Sequence, residues 1–174
     1  GLFDAMAVCL EAGVVDMMGR MVEAGKEDRL SPAIAARMQG EGNTRRILLA
    51  TDGDYNVAGG VFFTQKDVRE LKLAKGAVRA AVELLLRECG LEVGNLSAVL
   101  LAGAFGNYIR PASALRMGLL PPMEPSLIRG VGNAAGAGAM LALLSLPWRR
   151  KVCEIARQAE HIELAQRADF QQMF

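Results

Sequence analysis

Two glycine-rich segments hold the residue types in this chain that are best suited to binding a ligand. The first reads GAFGNY over residues 103–108, and the second reads GVGNAAG over residues 130–136. Without large side chains at Gly103 and Ala104, an adenine or ribose ring can lie against the backbone, and Asn107 can supply an amide. Both segments therefore favour contact with a nucleotide.

The first segment directly follows a predicted strand over residues 97–102. That strand is a continuous apolar run, as expected for a strand covered on both faces. Open α/β sheets bind ligands at the carboxyl ends of their strands, where these glycines fall. Taken alone, the segment also fits an ordinary turn whose glycines serve only the backbone.

The second segment is open to two further interpretations. Its G-x-G-x-x-A pattern matches a dinucleotide-binding turn, after a short predicted strand at residues 126–129. Such a unit needs a second strand that ends in an acidic residue about twenty positions further on. Residues 150–154 occupy that window and read as a charged helix, which disfavours a dinucleotide. Alternatively, the small residues of 132–139 let a helix pack closely on a neighbour, which is compatible with nucleotide contact.

The cysteines and the single histidine argue against most other site chemistry. Cys9, Cys89 and Cys153 are far apart and form no C-x-x-C pair, so we expect reduced core residues. With His161 as the only histidine, neither a four-ligand zinc or iron–sulfur site nor a Ser-His-Asp triad is expected. We predict no metal site in this chain and a reducing, cytoplasmic setting.

Composition indicates one domain without a charged or membrane partner. The chain has 174 residues, 52% of them hydrophobic, and a formal net charge of +1, so we expect neither nucleic acid nor an anionic membrane as partner. Residues 130–148 imitate a membrane span, but only 140–146 are strongly apolar, and a buried helix is expected instead. The chain opens without methionine or a signal peptide, as expected for a piece of a longer protein.

Hydrophobic spacing and capping residues predict the surrounding helices and strands. Helices are expected over 2–12, near 32–38, from a capping box at Thr64 and Asp67 to Gly90, over 111–117, and from Asn133 to 144. Strands are expected over 46–50, 60–63 and 97–102, the last being an interior strand flanked by the helices of 65–89 and 133–145. After a break at Pro147, a C-terminal amphipathic helix is expected to lie back on the body.

Three long stretches resemble one family in the same order along the chain. They are TQKDVRELKLAKGAVRAAVELLL, LAGAFGNYIRPASALRMGLLP and GVGNAAGAGAMLALLS, and the tail IELAQRADFQQMF is similar to the family's ending. The family is that of the ATP-dependent reductive activators of corrinoid proteins, and the match is to their C-terminal domain. Its fold is α/β and ribonuclease H-like, the second half of an actin-like ATPase domain with a mixed sheet flanked by helices.

The resemblance implies a division of the chain and a set of site residues. Residues 1–63 would form a helix plus loop and hairpin region, 64–146 the nucleotide-facing core, and 147–174 the C-terminal helix and tail. The implied site binds ATP with Mg²⁺, and its phosphate-binding turn would lie upstream of Gly1. The adenosine shelf and its surroundings would be Gly103, Ala104, Phe105, Gly106, Asn107, Gly132 and Asn133, with Lys66 and Arg69 as weaker candidates.

The resemblance also implies a function for the whole protein. ATP binding or hydrolysis would help to drive reduction of Co(II) to Co(I) in a corrinoid protein, with electrons from a [2Fe–2S] cluster on a domain outside this chain. A homodimer is left open, and this chain alone is expected to bind ATP poorly and not to hydrolyse it. Two alternatives remain open: half of a sugar- or acetate-kinase-like phosphotransferase, and a non-catalytic docking or dimerisation module.

Overall fold

Two small sheets and the helices around them form a mixed α/β structure, which confirms the predicted fold class. The computed structural model describes residues 1–23, 30–51, 53, 58–103, 108–164 and 166–173. Helix α1 (Leu2–Glu11) ends where Gly13 adopts a left-handed φ of +73°, as predicted. Helix α2 (Pro32–Ala35) is capped by Ser31 and is shorter than predicted, because a turn at residues 36–37 leads into a strand.

The first sheet is antiparallel, with the order β1-β2-β3. Its strands are β1 (Met38–Gln39), β2 (Arg46–Ala50) and β3 (Val61–Thr64), and Ile47 pairs with both Met38 and Phe63. The sequence predicted β2 and β3 but missed β1, because two residues are too few to show an alternating pattern.

Helix α3 (Gln65–Glu88) directly follows β3 and is the longest element. The predicted capping box is present: the Thr64 hydroxyl accepts the Asp67 N–H at 3.2 Å, and the Asp67 carboxylate accepts the Thr64 N–H at 2.8 Å. Beyond the helix, Gly90 has a φ of +62°. The first two turns bury Val68 and Leu71 against the main core.

The main core lies between α1, the first sheet and α3. Burial of each large apolar side chain there contributes about 1.5–3 kcal/mol. Its least exposed members are Val14, Val15, Met21, Phe63 and Val68. A smaller core around Ala114, Leu119, Leu120 and Ile128 lies beside the second sheet.

The second sheet consists of β4 (Val99–Ala102) and β5 (Ile128–Gly132), paired in parallel. Helix α4 (Pro111–Met117) lies between them in the chain and ends at Gly118, as predicted. The prediction of an interior strand at residues 97–102 is wrong for the described residues, where β5 is the only partner of β4 and Leu100 is 61% exposed. An apolar run shows that a strand can be covered on both faces, but it does not show which residues cover it.

Three helices follow the second sheet. They are α5 (Ala134–Leu144), α6 (Leu146–Gln158) and α7 (Ala168–Met173). Asn133 caps the start of α5 and the helix ends at Leu144, as predicted, but Pro147 lies in the first turn of α6. Helix α5 packs mainly on α6 rather than on a sheet. The prediction that the amphipathic helix after Pro147 lies back on the body is also wrong, because α6 buries no residue.

Helix α7 is the C-terminal element that contacts α3. Just before it, Arg167 pairs with Glu88 at 2.7 Å and with Asp169 at 2.9 Å. Hydrogen bonds to these two carboxylates raise the pKa of Arg167, and the bond from Arg167 lowers the pKa of Asp169. Arg167 and Asp169 therefore both stay charged at neutral pH, and their contact persists there.

The cysteines differ from the expectation of three core residues. Cys9 is buried, and burial raises the pKa of its thiol to about 11, whereas Cys89 and Cys153 are exposed. All three are free thiols. In the part of the chain that the structure describes, no helix has the length and apolar character needed to cross a membrane.

Candidate functional site

The two glycine-rich segments meet at the carboxyl edge of the second sheet. Gly103 follows the last residue of β4, and Gly132 is the last residue of β5. Ala102 pairs directly with Gly132, so the chain leaves both strands at neighbouring points. The register of the two strands could not be predicted from the sequence. The structure adds the observation that Gly103 and Gly132, one from each segment, lie at the same edge of the sheet.

Backbone conformation explains why glycine occupies both positions. Gly103 has a φ of +78° and Gly132 a φ of +66°, in the left-handed region that other residues adopt at a cost of about 1–3 kcal/mol. Among the described residues, no atom lies within 4 Å of the position that a Cβ on Gly103 would take. The described part of the chain therefore leaves space beside Gly103.

Asn133 has a structural role in the same edge. Its side-chain oxygen accepts the Gly136 N–H at 2.9 Å and so caps α5. A Cβ on Gly136 would lie 2.5 Å from the Asn133 amide nitrogen, which explains the glycine there. The amide nitrogen of Asn133 remains as a donor at the turn. Ala104, Phe105, Gly106 and Asn107 lie outside the described residues.

A cavity of about 650 Å³ begins where the first turn ends, at Tyr108. This volume is in the range of small-molecule sites, about 300–1,000 Å³. Apolar atoms form most of its wall, and Tyr108 is 75% exposed beside it. The lining residues are Gly1, Leu2, Phe3, Asp4, Glu70, Leu71, Ala74, Tyr108 and Ile109. The wall thus joins the start of α1, one side of α3 and the end of the first turn.

Asp4 holds α1 against α4 at this cavity. The Ser113 hydroxyl donates to one carboxylate oxygen of Asp4 at 2.5 Å. Burial raises the pKa of Asp4, but hydrogen bonds to the carboxylate, above all the bond from Ser113, outweigh it, and the net pKa is lowered. Sequence reasoning missed Asp4, because Ser113 is 109 residues away in the chain.

Neither of the two basic candidates lines this cavity. Lys66 is exposed on α3, and Arg69 donates to the side-chain oxygen of Asn43. Arg69 lines a second, polar cavity of about 400 Å³. On a helix of 3.6 residues per turn, this side of α3 is opposite to the side that carries Leu71 and Ala74. The structure therefore groups Gly103, Gly132 and Asn133, and it places Arg69 on the side of α3 opposite to Leu71 and Ala74. Lys66 lines neither cavity.

Several known proteins and one family model are similar to this chain. The whole chain, residues 1–174, matches the family model described as the C-terminal domain of RACo, the ASKHA domain. The chain is 36% identical over 167 residues to the corrinoid activation enzyme RamQ of Eubacterium limosum, which covers 95% of the chain. It is 30% identical over 125 residues, or 71% of the chain, to the [Co(II) methylated amine-specific corrinoid protein] reductase of Methanosarcina barkeri.

A solved structure is similar over almost the entire chain. The reductive activator for corrinoid, iron–sulfur protein superposes with a TM-score of 0.87 and 28% identity over 99% of this chain. The chain spans 28% of RamQ, 23% of the reductase and 26% of the solved chain, about a quarter of each. The similarity therefore concerns one domain of much longer proteins.

Proposed function

We propose that this chain, which belongs to the family of the RACo C-terminal domain, the ASKHA domain, binds the adenosine part of ATP in an activator of a corrinoid protein. The observation that carries the proposal is the pairing of Ala102 with Gly132, which sets two glycine turns side by side at one sheet edge. The names of both similar proteins, a corrinoid activation enzyme and a corrinoid protein reductase, support a corrinoid protein as the partner.

The chemistry of the walls suits adenosine. The apolar side of the 650 Å³ cavity would take the flat face of adenine, and the exposed ring of Tyr108 offers a stacking surface. Glu70 lines the same cavity and would accept a hydrogen bond from a ribose hydroxyl or the adenine amino group. The turn at Gly103 would let the nucleotide lie against backbone.

We propose that the phosphate and redox chemistry belongs to other parts of the protein. Among the described residues, no group of three or more His, Cys, Asp or Glu side chains could hold a metal ion. The cysteines here therefore do not fit a [2Fe–2S] cluster. Coupling of ATP to reduction of Co(II) to Co(I) requires that ATP binds two states of the activator–corrinoid complex with different affinities.

The proposal is tested by a matched pair of glycine substitutions in the full-length protein. Gly103→Val should weaken Mg·ATP binding by about 1–3 kcal/mol, because its side chain fills the space proposed for adenosine. Gly90→Val is the control. Gly90 also has a positive φ, and no described atom lies within 4 Å of the position that a Cβ would take, but this glycine follows α3 and is not part of the proposed site. Equal ATP affinity of the two folded variants, measured by calorimetry, would remove Gly103 from the site.

A docking role for α5 and α6 is a second candidate, because these helices expose many large apolar side chains. Leu143 is 73% exposed, Leu144 is 81% exposed and Trp148 is 49% exposed. Such a surface is typical of a contact with another protein segment or a second copy of the chain. Leu144→Glu should then reduce self-association in analytical ultracentrifugation without changing Mg·ATP affinity. Unchanged sedimentation would exclude a homodimer through this surface.

A further inference from the structure

The polar cavity of about 400 Å³ beside the start of α3 has a wall unlike that of the cavity at Tyr108, the adenosine cavity of the proposal above. We call it the basic cavity, because four of its lining residues are cationic. They are Arg20, Arg45, Arg69 and Lys72. Its other lining residues are Met18, Gly19, Gly42, Asn43 and Gln65, so none of the lining side chains is acidic.

A buried glutamine holds one wall of the basic cavity in place. Gln65 is 5% exposed; its side-chain oxygen accepts the Met21 N–H at 2.7 Å, and its amide donates to the Gly19 carbonyl at 2.9 Å. These two bonds fix the segment before residue 22 against the first turn of α3. Gly19 has a φ of +78°, and a Cβ there would overlap the Lys72 side chain. The glycine therefore allows Lys72 to lie across this wall.

The cations of the basic cavity are held by neutral acceptors. Arg45 donates to the carbonyls of Gly42, at 2.7 Å, and of Met21, and Lys72 donates to the Met18 carbonyl at 2.5 Å. Arg69 donates to the side-chain oxygen of Asn43. Each of these groups keeps further N–H donors, because a guanidinium has five and an ammonium three.

Two described carboxylates close to the cavity are engaged elsewhere. Among the described residues, none of the four cations forms an ion pair with an acidic side chain within 4.0 Å. Asp16 accepts the backbone N–H of Arg20 at 2.8 Å and lines the adjoining cavity. Asp67 is engaged in the cap of α3. Four positive charges thus share one concave, polar surface.

We propose that the basic cavity binds a phosphate group, either as inorganic phosphate or as part of a phosphate ester. A phosphate dianion presents several oxygens, which suits planar guanidinium groups that donate in pairs and a lysine that acts as a point charge. The volume of the cavity leaves room for a group attached to the phosphate. Gln65, Arg69 and Lys72 follow an i, i+4, i+7 spacing on α3, opposite to the side that lines the adenosine cavity.

The direct test is a titration of the isotopically labelled protein with potassium phosphate at constant ionic strength, followed by amide NMR. Saturable shifts are expected at Gly19, Gly42 and Asn43. Arg69→Gln should weaken binding about tenfold, because it removes charge-assisted hydrogen bonds. Arg150→Gln is the control, since it removes an exposed cation from α6 and leaves the same net charge as Arg69→Gln. It should change the affinity less than twofold.

Further arms separate the possible outcomes. Gly103→Val should leave the affinity for phosphate unchanged. A loss of phosphate affinity in this variant would show that the anion binds at the proposed nucleotide site, and it would overturn the proposal. Tighter binding of glycerol 3-phosphate than of phosphate would identify an ester as the ligand, and equal binding would assign recognition to the phosphate group alone. Non-saturable shifts, or equal weakening by Arg69→Gln and Arg150→Gln, would overturn the proposal. If Arg69→Gln does not fold, Arg20→Gln takes its place.

Discussion

The main core and the α5–α6 region are both rich in apolar residues, but only the main core buries them. Met21, Phe63 and Val68 are 0% exposed between α1, the first sheet and α3. In contrast, α5 consists of apolar residues and glycine and buries none of them. Apolar composition therefore indicates which segments can be covered, and the covering residues decide whether the side chains contribute to stability. The main core should therefore determine the stability of the fold, whereas α5 and α6 offer their apolar side chains to another protein surface.

The largest expected difference is between core and surface truncations. Phe63→Ala should lower the free energy of unfolding by about 3–5 kcal/mol, because it leaves a cavity in the main core. Leu143→Ala removes a side chain that is 73% exposed and should change it by less than about 0.5 kcal/mol. Urea denaturation of both variants measures the comparison. Similar losses of stability in the two variants would show that α5 is covered in solution and would contradict the difference between the two regions.

A smaller loss is expected from the buried hydrogen-bond bridge at Gln65. Gln65→Met keeps the volume but leaves the Met21 N–H and the Gly19 carbonyl without their partner, which should cost about 1–3 kcal/mol. Gln158→Met, at the exposed end of α6, is the matched control. Thermal melts compare the two variants, and equal melting temperatures would mean that the bridge contributes nothing.

Helix caps give a third comparison of the two regions. Thr64→Ala should cost about 1 kcal/mol, since the Thr64 hydroxyl caps α3. Ser145 occupies the same position before α6 but makes no side-chain capping bond, so Ser145→Ala should have little effect. An equal cost in both variants, measured by urea denaturation, would contradict the observed difference in capping.

The pH dependence at Asp4 should be the smallest effect. The pKa of Asp4 is lowered below its ordinary value of 3.8, so its bonds stabilise the fold above that pH, and this stability is lost as the pH falls through the folded-state pKa. The stability difference between the native protein and Asp4→Asn should therefore shrink below about pH 4. Ser113→Ala should reduce the difference at neutral pH. A difference that grows on acidification would reverse the assigned direction.

Local signals in the sequence predicted much of the fold. Thr64 with Asp67, Asn133, Gly13 and Gly118 marked helix ends correctly, because capping depends on residues within one turn. Contacts between distant segments were not predictable in the same way. The pairing of Ala102 with Gly132 needs the register of two strands, and burial of a strand or helix depends on neighbours that a hydrophobic pattern does not identify.

The candidate site was predictable to a similar extent. Glycines at strand ends identified Gly103 and Gly132, because a left-handed backbone favours that residue. The cavity at Tyr108 was missed, because its wall combines the start of α1 with the middle of α3. The bond from Arg69 to Asn43, 26 residues away, could not be predicted either, and the role of Arg69 as a weaker nucleotide candidate stays a prediction.

Amide NMR of this chain with Mg·ATP can show whether the two glycine turns and the cavity at Tyr108 bind adenosine. Adenosine contacts alone should give roughly millimolar affinity, about 4 kcal/mol. We expect saturable shifts at Gly103, Tyr108, Gly132 and Asn133, and none at Gly90 or Leu143. Saturable shifts that are confined to other surfaces, with Gly103 and Gly132 unchanged, would contradict this expectation.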